Sequence, residues 1–138
     1  MEKTMTSAKN PNKGVPPQKA IDIKRLHQDA ELGDADAQYH LGIQYANGQS
    51  LPKNETEAVK WFRLAAAQGH PMAQLALGLC HHDGFGVPQN ELEAGKWYEL
   101  AAEQGNPMAE GLLYGVIIHS FRRTQEGANF LNVPHTVK

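Results

Sequence analysis

The sequence predicts an all-α fold built from helix–turn–helix units that recur every 36 residues. Residues 33–68 and 69–104 align without a gap and are identical at 17 of 36 positions. Within each copy the apolar residues follow helical spacing, and residues typical of caps and turns separate the two helical segments. One such unit cannot bury its apolar face alone, so the copies are expected to stack.

The first helix of each unit has a polar cap residue before it and a glycine after it. Proline occupies the first helical position at Pro71 and Pro107, where its missing N–H costs nothing. Positions predicted to face the core recur at i, i+4 and i+8. The predicted cap positions are Asp34, His70 and Asn106, the apolar positions are Ala37, Leu41, Tyr45, Ala73, Leu77 and His81, and the glycines that end the helices are Gly48 and Gly84.

The second helix of each unit has an apolar face and a capping-box pattern. In the first copy the face consists of Ala58, Trp61, Phe62, Ala65 and Ala66. Asparagine can cap the helix while a glutamate three residues later bonds back to the cap N–H. The residues in these roles are Asn54 with Glu57 and Asn90 with Glu93, and Gly69 and Gly105 follow the helix ends.

Glycine also occurs inside the first helices, at Gly42 and Gly78. Glycine there costs about 1 kcal/mol relative to alanine. That cost predicts a close approach to the paired helix, where no Cβ fits. Trp61 and Trp97 are expected to fill the space between units.

The two ends of the chain depart from the repeat. We predict a disordered segment at 1–17, a repeat domain at 18–125 and a tail at 126–138. The repeat domain comprises a half unit at 18–32, two full units and a partial unit at 105–125. In the partial unit Tyr114 and Ser120 replace glycines, so its helix is expected to continue to about Gln125 as a cap, with Phe121, Phe130 and Leu131 folding back to fill a groove or cap the helix.

Composition excludes several classes of protein. The formal net charge of −2 is too small to attract nucleic acid or an anionic membrane by its overall field. The single cysteine, Cys80, excludes an intramolecular disulfide and a cysteine-built zinc site. Neither a secretory signal nor a run of about 20 apolar residues is present. We therefore expect a cytoplasmic protein without membrane insertion.

The shared residues of the two units resemble the Sel-1-like repeat, a 36-residue relative of the tetratricopeptide repeat. The matching pattern is G-x-x-x-A-Q-x-x-L-G-x-x-Y-x-x-G-x-x-x-P-x-x-x-x-x-A-x-x-W-F-x-x-A-A-x-Q, and the resemblance covers about residues 19–120. It implies a right-handed solenoid of antiparallel helix pairs that serves as a protein-interaction adaptor or scaffold, often in bacterial signalling, secretion or host contact. Some secreted members carry a cysteine pair in each repeat. The single cysteine here argues against that subgroup and against the β-lactam-related activity proposed for it.

The segment from Cys80 to Asp83 is the most enzyme-like part of the sequence. A metal site would use His82, Asp83 and His119, and Cys80 is a candidate thiol nucleophile. Neighbouring residues on a helix point about 100° apart and rarely share a metal ion. His81 aligns with Tyr45, which predicts a packed residue, and Cys80 is better explained as a small buried side chain. We therefore predict no enzyme activity, no metal site and no cofactor.

The resemblance also implies a binding face, because first helices line the concave side of tetratricopeptide-like solenoids. Such a face suits an amphipathic helix or an extended peptide of a partner protein. Two alternatives stay open: these residues pack between units or against the C-terminal segment, or two such stripes pair in a homodimer. The predicted face consists of Asp36, Tyr39, Ile43, Ala46, Asn47, Met72, Leu75, Leu79, His82, Asp83, Met108, Gly111, Gly115, Ile118 and His119.

Overall fold

Six helices account for all the regular secondary structure in the computed structural model, which describes the backbone of residues 22–136 and the side chains of residues 22–124. The predicted disordered segment at 1–17 lies outside these residues. The helices are α1 (Ile23–Glu31), α2 (Ala35–Asn47), α3 (Glu55–Ala67), α4 (Pro71–Asp83), α5 (Glu91–Glu103) and α6 (Pro107–Thr136).

Each helix packs mainly against the helix before it and the helix after it in the chain. The pairs α2–α3 and α4–α5 form the two full units, α1 precedes them and α6 follows. The predicted fold class, a helical-repeat solenoid, is confirmed. This arrangement buries three apolar clusters along the chain, because the second helix of each full unit packs between its own first helix and the first helix of the next unit.

Asparagine caps both second helices, but only half of the predicted capping box forms. The Asn54 side chain accepts the Glu57 N–H at 3.1 Å, and Asn90 accepts the Glu93 N–H at the same distance. The cap N–H of Asn54 donates instead to the carbonyl of Tyr45 at 3.0 Å. Since the paired helix already satisfies this N–H, the glutamate is not needed there, and Glu57 lies beside Lys60.

The predicted close approach at the mid-helix glycines is confirmed. A Cβ at Gly42 would lie 2.6 Å from the Phe62 ring, and one at Gly78 would lie 2.5 Å from the Tyr98 ring. Real Cβ atoms essentially never come so close to another heavy atom. The aromatic ring of each second helix therefore lies directly on the backbone of its first helix.

The two tryptophans fill the space between units, as predicted. Trp61 is buried with Ala30, Ala37 and Leu41, at the junction of the leading helix and the first unit. Trp97 packs, half-buried, against the cluster that contains Phe62 of the preceding unit.

Buried glutamines connect successive units through hydrogen bonds. Gln74 is 4% exposed and donates to the carbonyl of Ala66 at 3.3 Å. Its side-chain oxygen accepts a bond from Gln104 at 2.9 Å, and Gln104 also donates to the Gly69 carbonyl. Gln38 and Gln68 make the same bonds one unit earlier. These bonds satisfy carbonyls at the helix ends that would otherwise be buried without partners.

The third unit has no paired second helix within the described residues. Its helix, α6, continues past Gln125 to Thr136, so part of the predicted tail at 126–138 is helical and continuous with α6 rather than folded back on it. At the position of the buried glycines Gly42 and Gly78 it carries Tyr114, which is 68% exposed.

We predict that Gly78→Ala lowers the free energy of unfolding by about 1–3 kcal/mol, because the new methyl group displaces the Tyr98 ring. Gly111→Ala is the matched control, since a Cβ there meets no atom within 4 Å. Alanine favours the helix, so this variant gains about 0.5–1 kcal/mol. Urea unfolding measures both values. A Gly78→Ala protein as stable as Gly111→Ala would contradict the close packing.

Candidate functional site

The first helices share one exposed face, formed by positions spaced i, i+4, i+7 and i+11. We call it the first-helix face. Eight of its residues are exposed and Ile43, Ala76, Leu79 and Leu112 are half-buried. Its members are Asp36, His40, Ile43 and Asn47 in α2, Met72, Ala76, Leu79 and Asp83 in α4, and Met108, Leu112, Gly115 and His119 in α6. The exposed members are not part of the buried core, so their side chains are available to contact a ligand.

Two residues of the predicted binding face lie elsewhere, which corrects the apolar stripe expected from the sequence. Leu75 is only 4% exposed and packs with Tyr98 and Ala109 at the junction of the second and third units. Tyr39 is half-buried, and its ring stacks on the His70 ring with centroids 5.0 Å apart. Each lies one residue before a position of the first-helix face, His40 or Ala76, and a rotation of 100° is enough to turn it into the contact between units.

The other predicted residues are distributed around this face. Asp36, Asn47, Met72, Asp83, Met108, Gly111, Gly115, Ile118 and His119 are exposed, and Ile43, Ala46, Leu79 and His82 are half-buried. Sequence reasoning missed His40, Ala76 and Leu112. The four-residue spacing from Asp36, Met72 and Met108 was the available signal.

Polar contacts at the start of the first-helix face connect adjacent units. His70 caps α4, since its Nδ1 accepts the Ala73 N–H at 3.1 Å. Its Nε2 lies 2.6 Å from Asp36 Oδ1. One tautomer of the neutral ring serves both roles, with Nδ1 accepting and Nε2–H donating to the carboxylate. At the next junction the cap residue Asn106 contacts the sulfur of Met72 at 3.5 Å.

A polar cavity of about 810 Å³ lies at the C-terminal end of the first-helix face. Glu91 is its central charge: one carboxylate oxygen lies 3.1 Å from Arg123 Nη2 and 3.7 Å from His119 Nε2. The lining residues are His82, Gln89, Asn90, Glu91, Leu92, His119 and Arg123. A smaller cavity of about 250 Å³ shares His82, Glu91 and His119 and extends to Tyr98 and Gly115.

The three residues of the predicted metal site do not lie together in the structure. His82 and His119 do line one cavity, but Asp83 is not among its lining residues. The carboxylate that lines this cavity is Glu91, which is already paired with Arg123. Within residues 22–124 no three side chains of His, Cys, Asp or Glu are placed to hold a metal ion together.

The remaining candidate groups of the Cys80–Asp83 segment are buried. Burial raises the pKa of Cys80 to about 12, with the charges of Asp83 and Glu55 adding to the shift. His81 is 7% exposed, in line with its alignment to Tyr45, and burial lowers its pKa. A protonated thiol beside a neutral imidazole without a polar partner is not a nucleophile–base pair.

The Sel1 repeat model matches residues 35–70 and 71–106, which together are more than half of the chain. A secretory immunoglobulin A-binding protein of Escherichia coli, EsiB, is 42% identical over 45 residues. That stretch is 33% of this chain and 9% of EsiB, so the chain spans only a small part of this relative. None of the described helices is long and apolar enough to cross a membrane.

Solved structures of repeat proteins superpose on most of the chain. A Sel1 repeat protein from Oxalobacter formigenes is 41% identical with a TM-score of 0.66, over 67% of this chain and 70% of that one. A protective antigen of uropathogenic E. coli with an SLR fold is 42% identical with a TM-score of 0.69, over 73% of this chain and 21% of that one. Helicobacter pylori cysteine-rich protein B is 29% identical with a TM-score of 0.65, over 75% of this chain and 76% of that one. With its two matched repeats and these relatives, the chain belongs to the Sel1 repeat family.

Proposed function

We propose that this chain is a non-catalytic adaptor that binds a segment of a partner protein along its first-helix face. Sel1 repeat proteins generally mediate protein–protein interactions. The observation that carries the proposal is the continuity of this face across three first helices, with exposed side chains that are not part of the core. Its regular repeat in every unit suits a linear ligand.

The chemistry of the face defines the kind of ligand. Met72 and Met108 are 43% and 60% exposed and offer flexible apolar contacts that adapt to different side chains. Asp36 and Asp83 are exposed on the same face, so basic groups of the ligand would find carboxylates there. We therefore infer a helix or extended peptide with spaced apolar residues and basic neighbours.

The polar cavity supplies an anchor at one end of this ligand. Glu91 and Arg123 already pair across it, and His82 and His119 line it, so it offers both donors and acceptors. A peptide terminus or a polar side chain would fit this mixture better than an apolar group. EsiB, named for binding secretory immunoglobulin A, is an example of a relative with a protein ligand.

An enzyme centred on Cys80 is the other hypothesis, and the burial of its groups weighs against it. The thiol remains protonated at neutral pH because its pKa is raised to about 12. Sel1 repeat homologues are typically non-enzymatic scaffolds. The segment from Cys80 to Asp83 is therefore better explained as the last turn of α4.

We predict that Met72→Glu and Met108→Glu each weaken binding of a peptide at least tenfold, since each puts a charge where the ligand places apolar side chains. The probe is a fluorescent peptide selected on the wild-type protein from a random displayed library, with affinity read by polarisation. Leu64→Glu is the matched control, because Leu64 is 43% exposed but lies on a second helix.

The same measurements decide whether the proposed face is the right one. Circular dichroism must first show that the variants keep their helical content. If Leu64→Glu weakens binding as much as Met72→Glu does, or if both methionine variants bind normally, the ligand does not use the first-helix face. A charged substitution at Leu75 is unsuitable as a test, since that side chain is buried and the change would unfold the protein.

We also predict that iodoacetamide alkylates Cys80 at pH 8.5 at least about a hundredfold more slowly in the native protein than in urea. The pKa of Cys80 in the folded protein is raised above its unfolded value of about 9, so the contribution of this thiol to the free energy of unfolding is fully present below pH 9. That contribution is lost as the pH rises from 9 through 12. Mass spectrometry of the labelled protein measures the rate of alkylation. If Cys80 is labelled as fast in the native protein as in urea, the thiol is accessible and is again a candidate nucleophile.

A further inference from the structure

Four apolar side chains on one side of α6 are exposed although they follow the spacing of a buried helical face. Tyr114, Ile117, Ile118 and Phe121 are 68%, 54%, 38% and 61% exposed. They recur at i, i+3, i+4 and i+7, which places them in a single stripe along the helix. We call these four residues the α6 stripe.

The repeat explains why this side of α6 is uncovered. In the full units the position of Tyr114 is occupied by Gly42 and Gly78, and the rings of Phe62 and Tyr98 lie against them. Because α6 continues to Thr136, no second helix returns over it within the described residues. Bulky apolar side chains therefore occupy a site that is filled by a second helix in the other units.

The apolar surface extends from the α6 stripe onto α5. Leu92 is 73% exposed and borders a cavity of about 560 Å³ between the two helices. Leu113, Val116 and Ile117 line the same cavity from α6, and Gly95, which has no side chain, lines it from α5. The α6 stripe thus has an adjoining depression that can receive apolar side chains of an opposing helix.

We propose that the α6 stripe binds the α6 stripe of a second copy of this chain, with the two helices antiparallel. The spacing is symmetric about the midpoint between Ile117 and Ile118. An antiparallel partner therefore places its Phe121 opposite Tyr114 and its Ile118 opposite Ile117. Each aromatic ring then meets another aromatic ring, which favours the pairing beyond the area that it buries.

Charge favours the antiparallel direction over the parallel one. Glu110 lies one helical turn before Tyr114 on the same side, and Arg122 directly follows Phe121. Both are exposed, and neither pairs with another charged side chain of residues 22–124. In the antiparallel pair Glu110 comes within about one turn of Arg122 of the second copy, whereas a parallel pair would bring like charges together.

The size of the surface predicts a weak dimer. The four exposed fractions correspond to an apolar area on the order of 400 Å² per copy, a patch size that is often functional on a monomer. Pairing then buries about 800 Å² from the two stripes, and Leu92 and the charged pairs add to it. This is at the small end of specific interfaces, so we expect dissociation at roughly micromolar concentrations.

Sedimentation velocity of the full chain, from about 1 to 500 µM, tests the proposal. We expect the wild-type protein to move from monomer to dimer over this range and the Ile117→Lys/Phe121→Lys variant to stay monomeric. Leu32→Lys is the control, since Leu32 is 85% exposed at the end of α1. We expect this variant to dimerise as the wild-type protein does. Circular dichroism verifies that each variant is folded, which is expected because the altered side chains are exposed.

A charge swap tests the direction of the pairing. We expect Glu110→Arg and Arg122→Glu each to weaken the dimer several-fold and the combination of the two to restore it. A wild-type protein that is monomeric at every concentration, or a dimer that survives the double lysine variant, would overturn the proposal. Failure of the combined swap to restore the dimer would overturn the antiparallel arrangement. The peptide-binding test is independent, because it alters Met72 and Met108 outside the α6 stripe.

Discussion

In each full unit, the contact between a glycine of the first helix and an aromatic ring of the second helix determines the geometry of this protein. Gly42 with Phe62, and Gly78 with Tyr98, bring two helices so close that no other residue fits at the glycine. Helices at this distance bury their small alanines and leave room for Trp61 and Trp97 between units. The third unit lacks this contact: where the others have glycine it has Tyr114, and α6 continues straight past the point at which a second helix would return.

Hydrogen bonding extends the same regularity from one unit to the next. Gln38 and Gln74 are buried, and each satisfies a carbonyl at the end of the preceding second helix while it accepts a bond from the glutamine that closes its own unit. The aligned position in the third unit is Glu110, which is exposed. Both the steric contact and the polar contact of the repeat therefore stop at α6, and this gives the last helix surfaces that the full units do not have.

The two proposed binding surfaces of this chain lie where helix packing leaves side chains exposed. The first-helix face is open because neighbouring units contact each other through positions such as Tyr39 and Leu75, one residue away from it. The α6 stripe is open because no second helix packs over α6 within the described residues. One surface recurs in every unit and suits a linear ligand of another protein, and the other occurs once and suits a second copy. An adaptor with both would present its ligands in pairs.

The sequence by itself determined the two full units, the caps at the ends of their helices and the close approach at Gly42 and Gly78. These features depend on residues a few positions apart or on the period of 36, which the sequence displays directly. Only the tertiary structure decided which side of each first helix is exposed, because a rotation of 100° per residue moves Leu75 into the core while Met72 stays in solvent. It also decided that Glu91 rather than Asp83 lines the cavity with His82 and His119, and that the Asn54 N–H bonds to Tyr45 rather than to Glu57. Such choices depend on how neighbouring helices pack, and residue spacing along one helix does not specify them.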